Sequence, residues 1–141
     1  MKHIYVLVVL ALLLSIGSRA QDKFIAVGSG GGFAGTATAY KITPKGKVFK
    51  GKGIGEITYT ESAKIKRAKA RKYIRQVSEQ TQSNSQFSHP GNLYYFINYT
   101  ENASEHKITW GDAQHPVPES IQKLYQEINN TISSARFKPI Q

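Results

Sequence analysis

The sequence predicts an α+β fold: a single antiparallel sheet of four to five strands with two amphipathic helices packed on one face. The first observation is the order of the elements, because extended segments precede a helix and a hairpin precedes a second helix. The second is the strand pattern of residues 93–99, in which aromatic rings occupy both faces. The third is the i, i+3, i+4, i+7, i+11 stripe formed by Ile121, Leu124, Tyr125, Ile128 and Ile132.

The first 20 residues predict a cleavable signal peptide. A basic start precedes an apolar run, and Ser18 and Ala20 are small residues at the minus-three and minus-one positions of an export cleavage site. The run is shorter than the about 20 residues that a membrane span needs. We therefore expect cleavage between Ala20 and Gln21, a secreted or periplasmic product, and no integral membrane segment after cleavage. An uncleaved N-terminal anchor is the alternative.

The chain contains no cysteine. This excludes disulfide scaffolds, cysteine proteases and thiolate metal sites. Residues 21–141 are long enough to bury one hydrophobic core without covalent cross-links, so we expect them to form a single α+β domain.

The N-terminal half predicts extended segments separated by turns. Residues 23–27 are predicted as the first strand and residues 33–43 as the second. Residues 43–46 carry Pro and Gly where a tight turn needs them. Residues 47–60 continue as a third extended segment, in which three glycines indicate a bulge or weak edge pairing.

The C-terminal half predicts two helices around a hairpin. The first helix begins at residues 61–62 and ends at about residue 80. Residues 93–99 and 106–110 form the hairpin through a four-residue link, and Pro118 suits the first turn of the second helix. The sheet face away from the helices is predicted to carry the rings of Tyr40, Tyr94 and Phe96.

A glycine-rich segment, residues 28–35, stands out near the mature N-terminus. It contains a formal G-x-G-x-x-G at Gly30, Gly32 and Gly35. Dinucleotide binding requires a helix directly after these glycines, whereas the sequence continues with the alternation of a strand. The glycines instead allow positive φ angles, a bulge or close approach by another chain. A plain turn between two strands explains most of this signal, and partner docking is the functional alternative.

Basic residues are concentrated in one window, residues 41–75. The window contains 12 Lys or Arg and two acidic residues, a formal charge of +10. Such a region favours an anionic partner, while a solvated surface with one lysine-rich helix is the simpler explanation. The candidate anion-binding residues are Lys45, Lys47, Lys50, Lys52, Lys64, Lys66, Arg67, Lys69, Arg71 and Lys72.

Catalytic patterns are weak in this sequence. The mature histidines, His89, His106 and His115, lack the spacing of metal ligands and are expected in solvated loops. Ser29 lies between glycines, but a nucleophile elbow would need glycine where Val27 stands. We therefore expect no catalytic residues, no metal, no cofactor and no enzymatic activity.

The layout resembles that of the emfourin-like small proteinaceous inhibitors of thermolysin-like metalloproteases. The resemblance rests on Gly-Gly-Phe-Ala-Gly at residues 31–35, the helix before the hairpin, the strand 94–99, residues 106–112, and the opening of the last helix at 116–124. The resemblance implies a binding protein that inhibits a metallopeptidase. The predicted signal peptide, in which this chain departs from those inhibitors, adds the expectation that the protein and its target are secreted.

Two functional hypotheses follow from these patterns. In the first, residues 28–35 and 111–117 are contact loops for a protein partner, because glycine-rich backbone can approach a partner's cleft closely. Its candidate partner-binding residues are Gly30, Gly31, Gly32, Phe33, Gly35, Trp110 and Asp112. In the second, the basic window binds an anionic polymer such as an acidic glycan, a lipid surface or a nucleic acid.

Overall fold

The structure, a computed structural model, describes residues 22–141 of the chain. Strands and helices account for most of these residues. The predicted signal peptide and its cleavage junction lie outside the described residues. The elements in chain order are β1 (Lys23–Gly31), β2 (Ala37–Ile42), β3 (Lys47–Gly53), β4 (Thr58–Lys64), α1 (Arg67–Ser83), β5 (Ser88–His89), β6 (Leu93–Glu101), β7 (Ser104–Trp110), α2 (Glu119–Ser133) and β8 (Lys138–Pro139). Within residues 22–141, no helix is long and apolar enough to span a membrane.

All strands of residues 22–141 belong to one eight-stranded sheet in the order β5-β7-β6-β1-β2-β3-β4-β8. The predicted α+β class is confirmed, but the predicted sheet of four to five antiparallel strands is wrong. The sheet is mixed, because β5 pairs with β7 in parallel. Its two edge strands have only two residues each, which is too short for any alternation to be visible in the sequence.

The segment 47–60, predicted as one extended stretch, folds into the β3–β4 hairpin. Gly55 has a φ of +80°, which the turn requires and which glycine adopts without strain. The pairing shifts register between Lys50 and Gly51, so the expected bulge is present. Because the chain turns back here, residues up to Lys64 pair with β3, and α1 begins at Arg67 instead of residue 61.

Two other strand bounds differ from expectation for a related reason. β1 continues through its glycines to Gly31 because these residues pair with β6, Gly31 lying opposite Leu93. β2 begins only at Ala37, since the preceding residues form the connection from β1. The predicted four-residue link of the β6–β7 hairpin is a two-residue turn, in which Asn102 and Ala103 both have positive φ, as a type I′ turn requires.

Both helices pack on the same face of the sheet. Alternate residues of the central strands meet the apolar stripes of α1 and α2 in one core. This core includes Ile25, Val27, Ile97, Tyr99, Tyr73, Val77, Ile121 and Ile128. The opposite face carries a smaller cluster of Ala26, Ala39 and Phe96, with Tyr94 packed against it. Tyr40, expected on that open face, packs instead against the helix-side core.

The sheet has two chemically different ends. At the first, here called the loop end, β1 ends beside the start of β6 and the β1–β2 and β3–β4 connections turn. At the second, the basic end, lie the start of β1, the β2–β3 turn and the start of α1. The register fixes this arrangement, because Gly31 pairs with Leu93 and Lys23 pairs with Glu101 at opposite ends of the same ladder.

Candidate functional site

Two of the glycines in residues 28–35 are required by packing within the sheet. Gly28 and Gly30 lie in β1 opposite Phe96 and Tyr94 of β6. A Cβ on Gly28 would lie 2.6 Å from the Phe96 ring, and a Cβ on Gly30 would lie 2.7 Å from the Tyr94 hydroxyl. Because glycine has no side chain, the rings of Phe96 and Tyr94 can lie across β1 at these two positions.

The remaining glycines shape the connection between β1 and β2. Gly31 has a φ of +98°, and a Cβ there would run into the backbone carbonyl of Asn92. The Gly32 N–H donates to that same carbonyl at 2.9 Å. The Gly35 N–H donates to the Gly32 carbonyl at 3.2 Å and closes a compact turn. The tip is therefore a fixed loop anchored to the start of β6.

Phe33 is fully exposed at the tip of this loop. Leu93 is 60 % exposed at the start of β6, and Ile54 is 74 % exposed in the β3–β4 connection. The two connections are neighbours because Ala37 of β2 pairs with Gly53 of β3. Phe33, Ile54 and Leu93 form what we call the apolar rim. Large apolar side chains left in water at one end of a sheet make that end a candidate interaction surface.

Trp110 supports the loop end from inside. Its side chain is buried, with the ring centroid 5.9 Å from that of Tyr95 and 5.1 Å from that of Tyr125. The Tyr125 hydroxyl donates to the Gly28 carbonyl at 3.1 Å, and burial raises the pKa of this phenol. Trp110 therefore packs in the core at the end of β7, and only a small part of its side chain reaches the surface.

Asp112 lies beside the loop end in a small polar cluster. Its carboxylate accepts hydrogen bonds from His115 Nδ1 at 2.7 Å and from the Gln114 N–H at 3.0 Å. The bond from His115, followed by that from Gln114, lowers the pKa of Asp112. The His115 ring stacks on His89 with centroids 4.2 Å apart. Among residues 22–141, no group of three or more His, Cys, Asp or Glu side chains could hold a metal ion.

A basic groove of about 930 Å³ lies at the opposite end of the sheet. Its cationic lining residues are Lys23, Lys41, Lys45, Lys47, Lys64, Arg67 and Arg71. Asp22, Phe24, Thr43, Pro44 and Phe49 complete the lining. These seven cations come from four strands, one turn and the start of α1, so the fold gathers charges that are up to 48 positions apart in the sequence.

Five of the ten predicted anion-binding residues line this groove: Lys45, Lys47, Lys64, Arg67 and Arg71. Lys50 lies on the helix side, where its ammonium bonds to Glu61 at 3.0 Å, and Lys72 pairs with Glu127 at 3.1 Å. Lys52, Lys66 and Lys69 lie outside the groove lining. The sequence-based prediction missed Lys23 and Lys41, because only the sheet register shows that these two residues lie at the basic end.

Two of the lysines lie over aromatic rings within the groove. The Lys41 ammonium is 4.0 Å from the ring centroid of Phe24, and the Lys47 ammonium is 4.8 Å from that of Phe49. Each ring attracts the cation above it and restrains its position. The groove thus presents positioned charges and not only mobile lysine chains.

The apolar rim therefore offers a contact for an apolar protein surface, and the basic groove offers a contact for anions. The chain matches no family model and no curated protein.

Proposed function

We propose that this chain is an exported small binding protein that inhibits a secreted metallopeptidase by docking the apolar rim into the peptidase cleft. The observation that carries the proposal is Phe33, a fully exposed ring at the tip of a loop whose backbone is fixed. The resemblance of residues 31–35 to the emfourin-like inhibitors supports the choice of partner.

Burial of the Phe33 ring would supply much of the binding free energy. Transfer of a phenylalanine side chain from water to an apolar pocket contributes about 1.5–3 kcal/mol. Central aromatic anchors surrounded by near-neutral contacts dominate many protein interfaces. Leu93 and Ile54 lie at the same end and would extend the contact around that anchor.

The loop is also prepared for binding before a partner arrives. Its two backbone hydrogen bonds, from Gly32 to Asn92 and from Gly35 to Gly32, already order the tip. A loop that is ordered in the free protein loses less conformational entropy on association, so more of the contact energy is available for affinity. The glycines contribute by setting this shape, while Phe33 makes the contact.

The test is inhibition of a thermolysin-type metallopeptidase by residues 21–141. We expect Phe33→Ala to weaken inhibition by at least about 10-fold, which corresponds to about 1.4 kcal/mol. The thermal unfolding of this variant should stay close to that of the wild type. Because the Phe33 side chain is fully exposed, its removal leaves no cavity in the core. Ile140→Ala is the matched control, since Ile140 is an exposed apolar residue outside the rim.

Two results would refute the proposal. One is that the wild-type protein inhibits neither the thermolysin-type enzyme nor any metallopeptidase secreted by its own host. The other is that Phe33→Ala and Ile140→Ala inhibit as strongly as the wild type.

A further inference from the structure

We propose that the basic groove is a second binding site, which takes a single chain of an acidic polysaccharide bearing sulfate or carboxylate groups. The groove lies at the opposite end of the sheet from the apolar rim. This site is therefore independent of the proposed peptidase contact, and each can be tested without the other.

The charge of the groove is largely uncompensated within the protein. Seven cations line it, and Asp22 is its one carboxylate among the described residues. Of these seven cations, only Lys23 takes part in an ion pair among residues 22–141, with Glu101 at 3.8 Å. For residues 22–141, the other six cations have no carboxylate within 4.0 Å. Like charges held together repel one another, so a polyanion in the groove would relieve this repulsion.

The first turn of α1 adds to the same positive field. Helices usually place acidic residues there, which offset the positive end of the helix dipole. In α1 the first turn holds no acidic residue, and the N-cap Lys66 makes no side-chain capping bond. Arg67 in this turn and Arg71, one turn further along the helix, both line the groove. The groove therefore combines side-chain charge with an unbalanced helix terminus.

The aromatic rings of the groove favour a polysaccharide over a single-stranded nucleic acid. Proteins that bind single-stranded nucleic acids stack bases on free aromatic faces. Here Phe24 and Phe49 each have a lysine ammonium over the ring, so these faces are already occupied.

The distribution of apolar residues argues against a membrane surface as the ligand. Peripheral membrane binding combines basic residues with apolar side chains that insert beside them. Among residues 22–141, the three most exposed large apolar side chains are Phe33, Ile54 and Leu93, and all three lie at the loop end. The two large apolar residues that line the basic groove, Phe24 and Phe49, are partly buried and lie under lysine ammonium groups, so neither protrudes as an apolar anchor.

Binding should depend strongly on salt, because each anionic group neutralised by Lys or Arg releases condensed counterions. If four anionic groups are neutralised, the single-strand coefficient gives a loss of about 50-fold in affinity between 50 and 200 mM salt. Lysines predominate among the seven cations, and their ammonium groups act as point charges that do not require a planar partner.

The experiment measures binding of residues 21–141 to a heparin oligosaccharide by calorimetry, beside a single-stranded DNA of equal charge and vesicles containing anionic lipid. The test variant is Lys47→Gln with Lys64→Gln and Arg67→Gln, all exposed groove residues. The control is Lys52→Gln with Lys107→Gln and Lys123→Gln, which removes the same charge from exposed positions outside the groove. Thermal unfolding of both variants verifies that they fold.

We expect the wild type to bind heparin more tightly than DNA or vesicles. The groove variant should lose at least 10-fold in affinity and the control less than 3-fold, with peptidase inhibition unchanged in both. Equal losses in the two variants would show diffuse charge attraction and overturn the proposal. Tighter binding to DNA or to vesicles would overturn the polysaccharide proposal and assign the groove to that ligand instead. The absence of heparin binding at 50 mM salt would also overturn the proposal.

Discussion

Gly32 donates its backbone N–H to the carbonyl of Asn92 at 2.9 Å, which ties the tip of the β1–β2 connection to the residue before β6. This bond explains why a glycine-rich stretch forms a fixed loop. It holds the loop against Leu93, whose side chain would lie 3.6 Å from a Cβ on Gly32. Two rim residues, Phe33 and Leu93, are thereby kept at the same end of the sheet.

Gly31→Val is expected to destabilise the protein more than Gly35→Ala. A side chain on Gly31 meets both a φ of +98° and the Asn92 carbonyl, whereas a Cβ on Gly35 meets only a φ of +61° and open space. Positive φ costs a non-glycine residue about 1–2 kcal/mol. Urea unfolding should show that cost for Gly35→Ala and a larger one for Gly31→Val. Equal free energies of unfolding would mean that the loop relaxes away from Asn92.

Gly30 and Tyr94 should be energetically coupled. A Cβ on Gly30 would meet only side chains, the Tyr94 ring at 2.7–2.8 Å and the Ala37 methyl at 2.8 Å. Gly30→Ala should therefore cost about 1–3 kcal/mol, the usual range for overpacking. In a Tyr94→Ala background the same change should cost less, because the ring is gone. A double-mutant cycle by chemical unfolding measures this difference, and strict additivity would contradict the account.

Tyr125→Phe should lower the free energy of unfolding by about 1 kcal/mol, the net value of a typical hydrogen bond. The change removes the bond to the Gly28 carbonyl but keeps the ring that packs on Trp110. Burial raises the pKa of Tyr125 in the folded state. The neutral phenol therefore contributes fully to stability at any pH below the ordinary tyrosine pKa of about 10. That contribution is lost as pH rises through the folded pKa. Alkaline unfolding should therefore be shallower in Tyr125→Phe, and an identical pH profile would contradict this.

Asp112→Asn should reduce stability near neutral pH and leave it unchanged in strong acid. The pKa of Asp112 is lowered in the folded state, chiefly by the bond to His115. Its contribution is therefore present above the unfolded pKa of about 3.9 and is lost as pH falls through the folded value. Melting temperatures from pH 6 to pH 2 should converge for the two proteins. Glu105→Gln, at an exposed strand position, is the control and should show no such convergence.

The sequence was sufficient to predict the elements whose pattern is local. The β6–β7 hairpin and α2 follow from alternation in residues 93–99 and from the apolar stripe that ends at Ile132, and both are present. The β3–β4 hairpin was missed because its glycines can signal either a bulge or a turn. The pairing of Lys47 with Lys64 distinguishes a turn from a bulge, because these residues can lie side by side only if the chain reverses between them.

The candidate sites were predictable to different degrees. The sequence does not show that Phe33 is exposed, although the glycines around it predict a loop at this position. The glycines opposite Tyr94 and Phe96 had a visible signal, since alternating glycines in one strand faced alternating rings in another. The basic groove needed long-range register, which brings Lys41 and Arg71 to the same end of the sheet.

The measurement that tests the central claim most directly is steady-state inhibition of a thermolysin-type metallopeptidase at several substrate concentrations. Docking of Phe33 in the cleft predicts competitive inhibition by the wild type, with an apparent inhibition constant that rises linearly with substrate. Phe33→Ala should then require at least about 10-fold more protein for the same effect. Inhibition that is independent of substrate concentration and equal in the wild type and Phe33→Ala would contradict the account.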